Sequence, residues 1–182
     1  MVYSVGKAIR EIKPNSEKLY LLSGDDYFLQ KFFISKLNEI NNNKYQLRYL
    51  NLDEEEDLNI LIHEISFGSL FSNNNLFILR NSTKLSIKNK DEIILYLNNP
   101  KDSLIIIFIS EDYYTKNKFF KTISTISKHV DTRTPFPNKI KEWIKYYITK
   151  NKIEIDTNLL DEIIFSNNGE IYNIINEIEK LY

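Results

Sequence analysis

None of the 182 residues is a cysteine. A disulfide framework, a thiolate nucleophile and thiolate-ligated zinc or iron–sulfur sites are thereby excluded. Histidine is almost as scarce, with only His63 and His129, too few for a histidine-rich metal centre. Four glycines and four prolines argue against a loop-rich or disordered chain. Charge of one sign is lacking as well: 24 basic residues stand against 25 acidic ones, a net of −1. A domain held on nucleic acid mainly by electrostatics carries a basic surplus, so tight direct DNA binding is not expected. The most apolar run, Leu104 to Ile109, is far too short to cross a bilayer. The opening MVYSVGKAIREIK has no apolar core of a signal peptide. A soluble cytoplasmic protein without a membrane partner is the expectation.

What is present suits a packed core: 42% of residues are hydrophobic, with 12 Tyr and 11 Phe. Leu19–Leu22 reads as a buried strand closed by Ser23 and Gly24. Asp25 or Asp26 then caps a helix whose apolar face is Phe28, Leu29, Phe32, Phe33 and Leu37. Tyr45 to Leu52 reads as a second strand, and the acidic run from Asp53 to Asp57 suits the start of a helix, where carboxylates oppose the dipole. Leu76–Leu79 is a third strand, Lys90–Leu97 a helix, Leu104–Ile109 a central strand apolar on both faces, Asn117–Ile126 a helix and His129–Asp131 a last short strand. This order predicts an α/β domain with a parallel sheet flanked by helices over residues 1–134. The prolines at 135 and 137 interrupt the pattern, and residues 135–182 show only helical periodicity, in three segments.

A strand running through glycine into a helix is where a phosphate loop belongs, and such a loop requires G-x-x-x-x-G-K-[ST]. Gly24 fits the first position, but Leu29, Gln30 and Lys31 stand where the second glycine, the lysine and the hydroxyl residue are needed. No nucleotide, metal or other cofactor and no catalytic residue is therefore expected. Glu111 and Asp112 follow the central strand, where an ATPase places a magnesium-activating acid, and read better as a solvated cap before Tyr113–Phe120. His63 and His129 have no obvious serine or carboxylate partner, and Lys116, Lys118 and Lys121 form a modest basic face. Leu70 and Phe71 point about 100° apart on a helix, and periodicity alone assigns them to the core.

Several of these segments together resemble the delta subunit of bacterial DNA polymerase III. They are Leu19–Leu29; Ser66-Phe67-Gly68-Ser69-Leu70-Phe71 followed by Leu76-Phe77-Ile78-Leu79-Arg80-Asn81; Leu104–Ser110; and Trp143, Ile153–Asp156, Asn168-Gly169-Glu170 and Asn176–Leu181. The resemblance implies a P-loop NTPase-like fold of the AAA+ type, without an ATP site of its own, followed by a small three-helix lid domain. It further implies DNA replication as the setting and the sliding clamp (the polymerase III beta subunit) as partner. Leu70 and Phe71, with Ser69 beside them, would contact the clamp and open its ring. The gamma/tau and delta-prime subunits are implied as partners of the full-length protein, with DNA contacted only indirectly. Family members carry a third, helical collar domain, which is absent from these residues. A divergent P-loop nucleotide hydrolase and a DNA-binding domain are the alternatives.

Overall fold

In the computed structural model, residues 1–68, 74–114 and 116–181 are described. They form two compact units, Met1–Arg133 and Thr134–Tyr182.

The first unit alternates strand and helix. The pairs are β1 (Val2–Ser4) with α1 (Val5–Glu11), β2 (Leu19–Ser23) with α2 (Tyr27–Ile40) and β3 (Gln46–Asn51) with α3 (Glu55–Phe67). A second run follows: β4 (Asn75–Arg80), a 3-10 turn (Ser82–Lys84), α4 (Ile87–Leu97), β5 (Leu104–Ser110), α5 (Lys118–Ile126) and β6 (Lys128–Asp131). The strands make a six-stranded sheet in the order β1-β6-β2-β5-β4-β3, every pair parallel. This is the expected α/β architecture. Strands β2 and β5 lie inside the sheet and are buried at every residue, which explains their unbroken apolar runs.

One face of the sheet presents Leu21, Phe77, Leu79, Ile106 and Phe108 to Leu61 and Ile65 of α3, Ile93 of α4 and Phe119 and Ile123 of α5. On the other face the Tyr20 ring meets Phe33 of α2 edge-on, with centroids 5.5 Å apart. Each such side chain, fully buried, contributes about 1.5–3 kcal/mol of transfer free energy. Helix starts follow local chemistry: the side chains of Ser4, Asp26, Ser86 and Asn117 each accept an N–H of the first turn. β1 and α1 had no counterpart in the sequence reading. A three-residue strand shows no period, and α1 buries only Val5 and Ala8.

The second unit holds α6 (Pro137–Asn151), α7 (Thr157–Ser166) and α8 (Ile171–Leu181). Ile140, Ile144, Leu160, Ile163, Ile171, Ile174, Ile175 and Ile178 are its buried side chains, the positions that the helical period selects. Pro137 is at the start of α6, where its missing N–H costs nothing. Tyr147 donates a hydrogen bond to Glu179, and burial together with that carboxylate pushes the Tyr147 phenol up to about 12.

Candidate functional site

In an open parallel sheet, ligands bind beyond the carboxyl ends of the strands. Here that edge is built from Ser23 at the end of β2 and Gly24 after it, Arg80 at the end of β4, Glu111 after β5, and Asp131 at the end of β6 with Thr132 and Arg133 following. The Gly24 N–H donates to the Ser110 carbonyl at 2.9 Å, and the Thr132 carbonyl accepts from Asp26 at 2.9 Å. These bonds draw the β2–α2 turn tightly onto the ends of β5 and β6. Gly24 has φ +139°, and a Cβ there would lie 2.2 Å from the Arg133 nitrogen and the Thr132 carbonyl carbon. The glycine is required by the passage of the β6 backbone, a purely structural reason.

The space that a phosphate would need is filled by the protein's own polar groups. Asp26 is buried, and its Oδ1 accepts the Leu29 N–H at 2.8 Å. A carboxylate thus occupies the positive end of α2, where a phosphate loop would hold an anion. Burial pushes the Asp26 carboxyl above its ordinary range, opposed by the bond from the Leu29 N–H and reinforced by the charge of Asp25. Gln30, at the position of the missing lysine, is also buried. Its Nε2 donates to the Gly24 carbonyl at 2.9 Å, and its Oε1 accepts from Arg80 Nη2 at 2.8 Å. Arg80 continues the relay to Glu111 at 3.3 Å and stands 5.9 Å from the centroid of the Tyr27 ring. Leu29, at the second-glycine position, is a core side chain. These residues do not fit a nucleotide phosphate.

Glu111 and Asp112 do not cap a helix. Helix α5 begins at Lys118 with Asn117 as its cap, and Asp112 Oδ1 instead accepts the Tyr114 N–H at 2.9 Å within the preceding turn. His129 also differs from the sequence expectation: its Nε2 lies 2.8 Å from Ser23 Oγ on the neighbouring strand. No sequence signal links residues 106 positions apart. Ser23 is buried, so the pair ties β2 to β6 and does not present a nucleophile. Burial lowers the His129 imidazole, and Asp131 partly offsets it. Beside it, Arg133 is held by both carboxylate oxygens of Asp131 and stacks 3.7 Å from the Tyr113 centroid. His63 packs on Phe67 at 5.2 Å. Lys116, Lys118 and Lys121 are exposed. Among the described residues no cluster of three potential metal ligands occurs, and no helix is long and apolar enough to cross a membrane.

Ser69, Leu70 and Phe71 lie outside the described residues. Their flanks are described. Helix α3 ends at Gly68, with φ +84°, and its last side chain, Phe67, is 80% exposed. On the far flank, the Asn74 carbonyl accepts the Gln46 N–H at 2.8 Å. This corner stands at the amino edge of the sheet, opposite the Gly24 end.

No family model matches the sequence, and no curated protein matches it. Solved structures do. The Bacillus subtilis DNA clamp loader delta protein (YqeN) matches 97% of this chain and 56% of its own length, at 18% identity and a TM-score of 0.64. AMPPCP-bound DnaA from Aquifex aeolicus matches 97% of this chain and 59% of its own, at 16% identity and a TM-score of 0.54. The chain spans little more than half the length of either. What it shares with both is the fold, a parallel α/β sheet flanked by helices.

Proposed function

We propose that the chain is the clamp-binding part of a clamp-loader delta subunit. In this reading it acts in DNA replication as a non-enzymatic cytoplasmic component that grips the sliding clamp and favours its opened ring. The observation that carries the reading is the α3–β4 corner, where Phe67 is 80% exposed immediately ahead of Ser69, Leu70 and Phe71. Three large apolar residues, Phe67, Leu70 and Phe71, stand within five positions of sequence here, and a contiguous apolar patch marks a surface that a partner covers. The fold shared with a clamp loader delta protein supports the same reading. Residues 1–134 act as the ATPase-like domain and residues 135–182 as the lid.

The mechanism is mechanical. Leu70 and Phe71, with Ser69, enter a pocket on the clamp, and burying the pair contributes about 3–6 kcal/mol before association costs. A ligand shifts a conformational equilibrium only by its differential affinity, so the wedge fits the opened clamp better than the closed one. ATP-driven changes in gamma/tau subunits control access to the wedge. The Gln30 and Asp26 contacts at the phosphate position support the absence of ATP hydrolysis here.

The test is binding to the clamp of the same organism. Leu70→Ala with Phe71→Ala abolishes binding and leaves circular dichroism and the melting temperature unchanged. Unchanged affinity overturns the reading. Saturable binding of ATP–magnesium favours a nucleotide hydrolase instead, and tight salt-sensitive DNA binding favours a nucleic-acid role.

A further inference from the structure

The β3 edge of the sheet is open over a short window. Gln46 donates its N–H to Asn74 of the β4 side, and Leu52 donates to Arg80, so even-numbered residues direct their backbone groups inward and odd-numbered ones outward. At one end the outward groups of Tyr45 are taken by the Asn38 side-chain amide, which donates to the Tyr45 carbonyl and accepts its N–H, both at 3.3 Å. At the other end Asp57 Oδ2 accepts the outward N–H of Asn51 at 2.7 Å. Between these two blocks, the N–H and C=O groups of Leu47 and Tyr49 have no protein hydrogen bond among the described residues. Natural edge strands are commonly blunted to prevent uncontrolled pairing. This one is blunted at both ends and left open in the middle.

The side chains of the window are exposed too. On the sheet face covered by α2, Leu47 is 38% and Tyr49 55% exposed, and Tyr27 of α2 is 52% exposed. Arg80 stands 5.9 Å from the Tyr27 centroid, and the Tyr49 phenol, raised mainly by burial, feels both Tyr27 and Arg80. Cations flank the patch. Lys44 stands 5.0 Å from the Tyr45 centroid, and on the opposite face Arg48 stands 5.8 Å from the Phe77 centroid.

We infer that this window receives a short extended segment of a partner protein by strand addition. The occupant has alternating apolar and acidic residues. Its backbone completes the bonds of Leu47 and Tyr49, its apolar side chains rest on Leu47, Tyr49 and Tyr27, and its carboxylates, which alternate to the opposite face, meet Arg48. Strand addition of this kind takes affinity from main-chain bonds and specificity from alternate side chains. A second copy of the chain is a poorer occupant. A window ending at the Asn38 and Asp57 blocks falls well short of the roughly 1,200 Å² that a stable interface buries.

The full chain is titrated by fluorescence anisotropy with an end-blocked eight-residue peptide alternating valine and glutamate. Three controls accompany it: a lysine-for-glutamate version, a version N-methylated at alternate residues, and the Arg48→Glu variant, on the face opposite the apolar patch. The glutamate peptide is expected to bind at least tenfold tighter than the lysine and N-methylated peptides. Arg48→Glu weakens the glutamate peptide and strengthens the lysine one, and Tyr49→Glu removes binding with the melting temperature unchanged. Equal binding of the N-methylated peptide overturns strand addition, and equal binding of the two charged peptides overturns the acidic preference. Sedimentation that shows a dimer lost in Tyr49→Glu makes a second copy the occupant and also overturns the proposal. None of these readouts involves the sliding clamp.

Discussion

Replacing Gln30 by alanine removes the side chain that joins Gly24 to Arg80. Two bonds vanish, 2.9 Å to the Gly24 carbonyl and 2.8 Å from the Arg80 guanidinium. A hydrogen bond to a charged group is worth about 1.5–3 kcal/mol, and an abandoned buried carbonyl costs about 1–3 kcal/mol. Arg80 is partly exposed and keeps Glu111, so water and that carboxylate recover part of the first term. The net loss is about 2–4 kcal/mol, a large share of the 5–15 kcal/mol that typically holds a domain. Gln30→Met removes the polar contacts without a large cavity and separates the two causes. Paired with Arg80→Met in a double-mutant cycle, it yields a coupling of about 1–2 kcal/mol. The assay is urea unfolding followed in two ways. Trp143, the sole tryptophan, is in the second unit, so its fluorescence follows that unit while far-ultraviolet circular dichroism follows both. The dichroism transition attributable to the first unit moves to lower urea, and the fluorescence transition does not. A Gln30→Ala loss below about 0.5 kcal/mol, the scale of an ordinary surface substitution, would refute the relay as a stabilising element. Gln30→Lys does not create a nucleotide site, because Asp26 and Leu29 still occupy the loop; ATP–magnesium raising that variant's melting temperature would contradict the account.

Three further predictions concern the same edge of the sheet. Gly24→Ala combines a left-handed φ with a 2.2 Å backbone clash and costs more than about 3 kcal/mol, visible as a collapse in soluble yield and melting temperature; a near-neutral result contradicts the close passage of β6. Asp26→Ala costs about 1 kcal/mol as a lost helix cap, whereas Asp26→Asn retains the cap, sheds the buried charge and matches or exceeds the parent in urea unfolding. His129 has a folded pKa below its ordinary 6.5, so its contribution is present above that value and is lost as pH falls through the folded pKa. Melting temperature measured from pH 7.5 to 5 therefore falls more steeply for the parent than for His129→Gln, and parallel curves would exclude His129 as the cause.

The sheet was legible because its strands differ in chemistry from its helices. Leu19–Ser23 and Leu104–Ser110 are buried on both faces, and continuous apolar runs follow directly from that burial. Asp26, Asn117 and Asp156 stand at helix starts as their short oxygen-bearing side chains require. The failed phosphate loop was also readable, since it depends on adjacent residues. What replaces the phosphate was not: Arg80 reaches Gln30 across 50 positions of sequence. The Ser23–His129 contact was hidden for the same reason, because strand order decides which distant residues become neighbours. Glu111 and Asp112 resembled a cap only because acids are common both at helix starts and in turns. Short β1 and α1 left no periodic trace. The role expected of Leu70 and Phe71 came from the order of whole segments, since their own periodicity points to the core.

The central claim is that the α3–β4 corner binds a sliding clamp. Calorimetric titration of the cognate clamp with the parent chain and with the Leu70→Ala, Phe71→Ala double variant tests it most directly. The account predicts saturable binding by the parent and an affinity at least 100-fold weaker in the variant, about 2.7 kcal/mol, with the fold intact. Equal affinity of the two proteins, or heat indistinguishable from dilution in both, would contradict it.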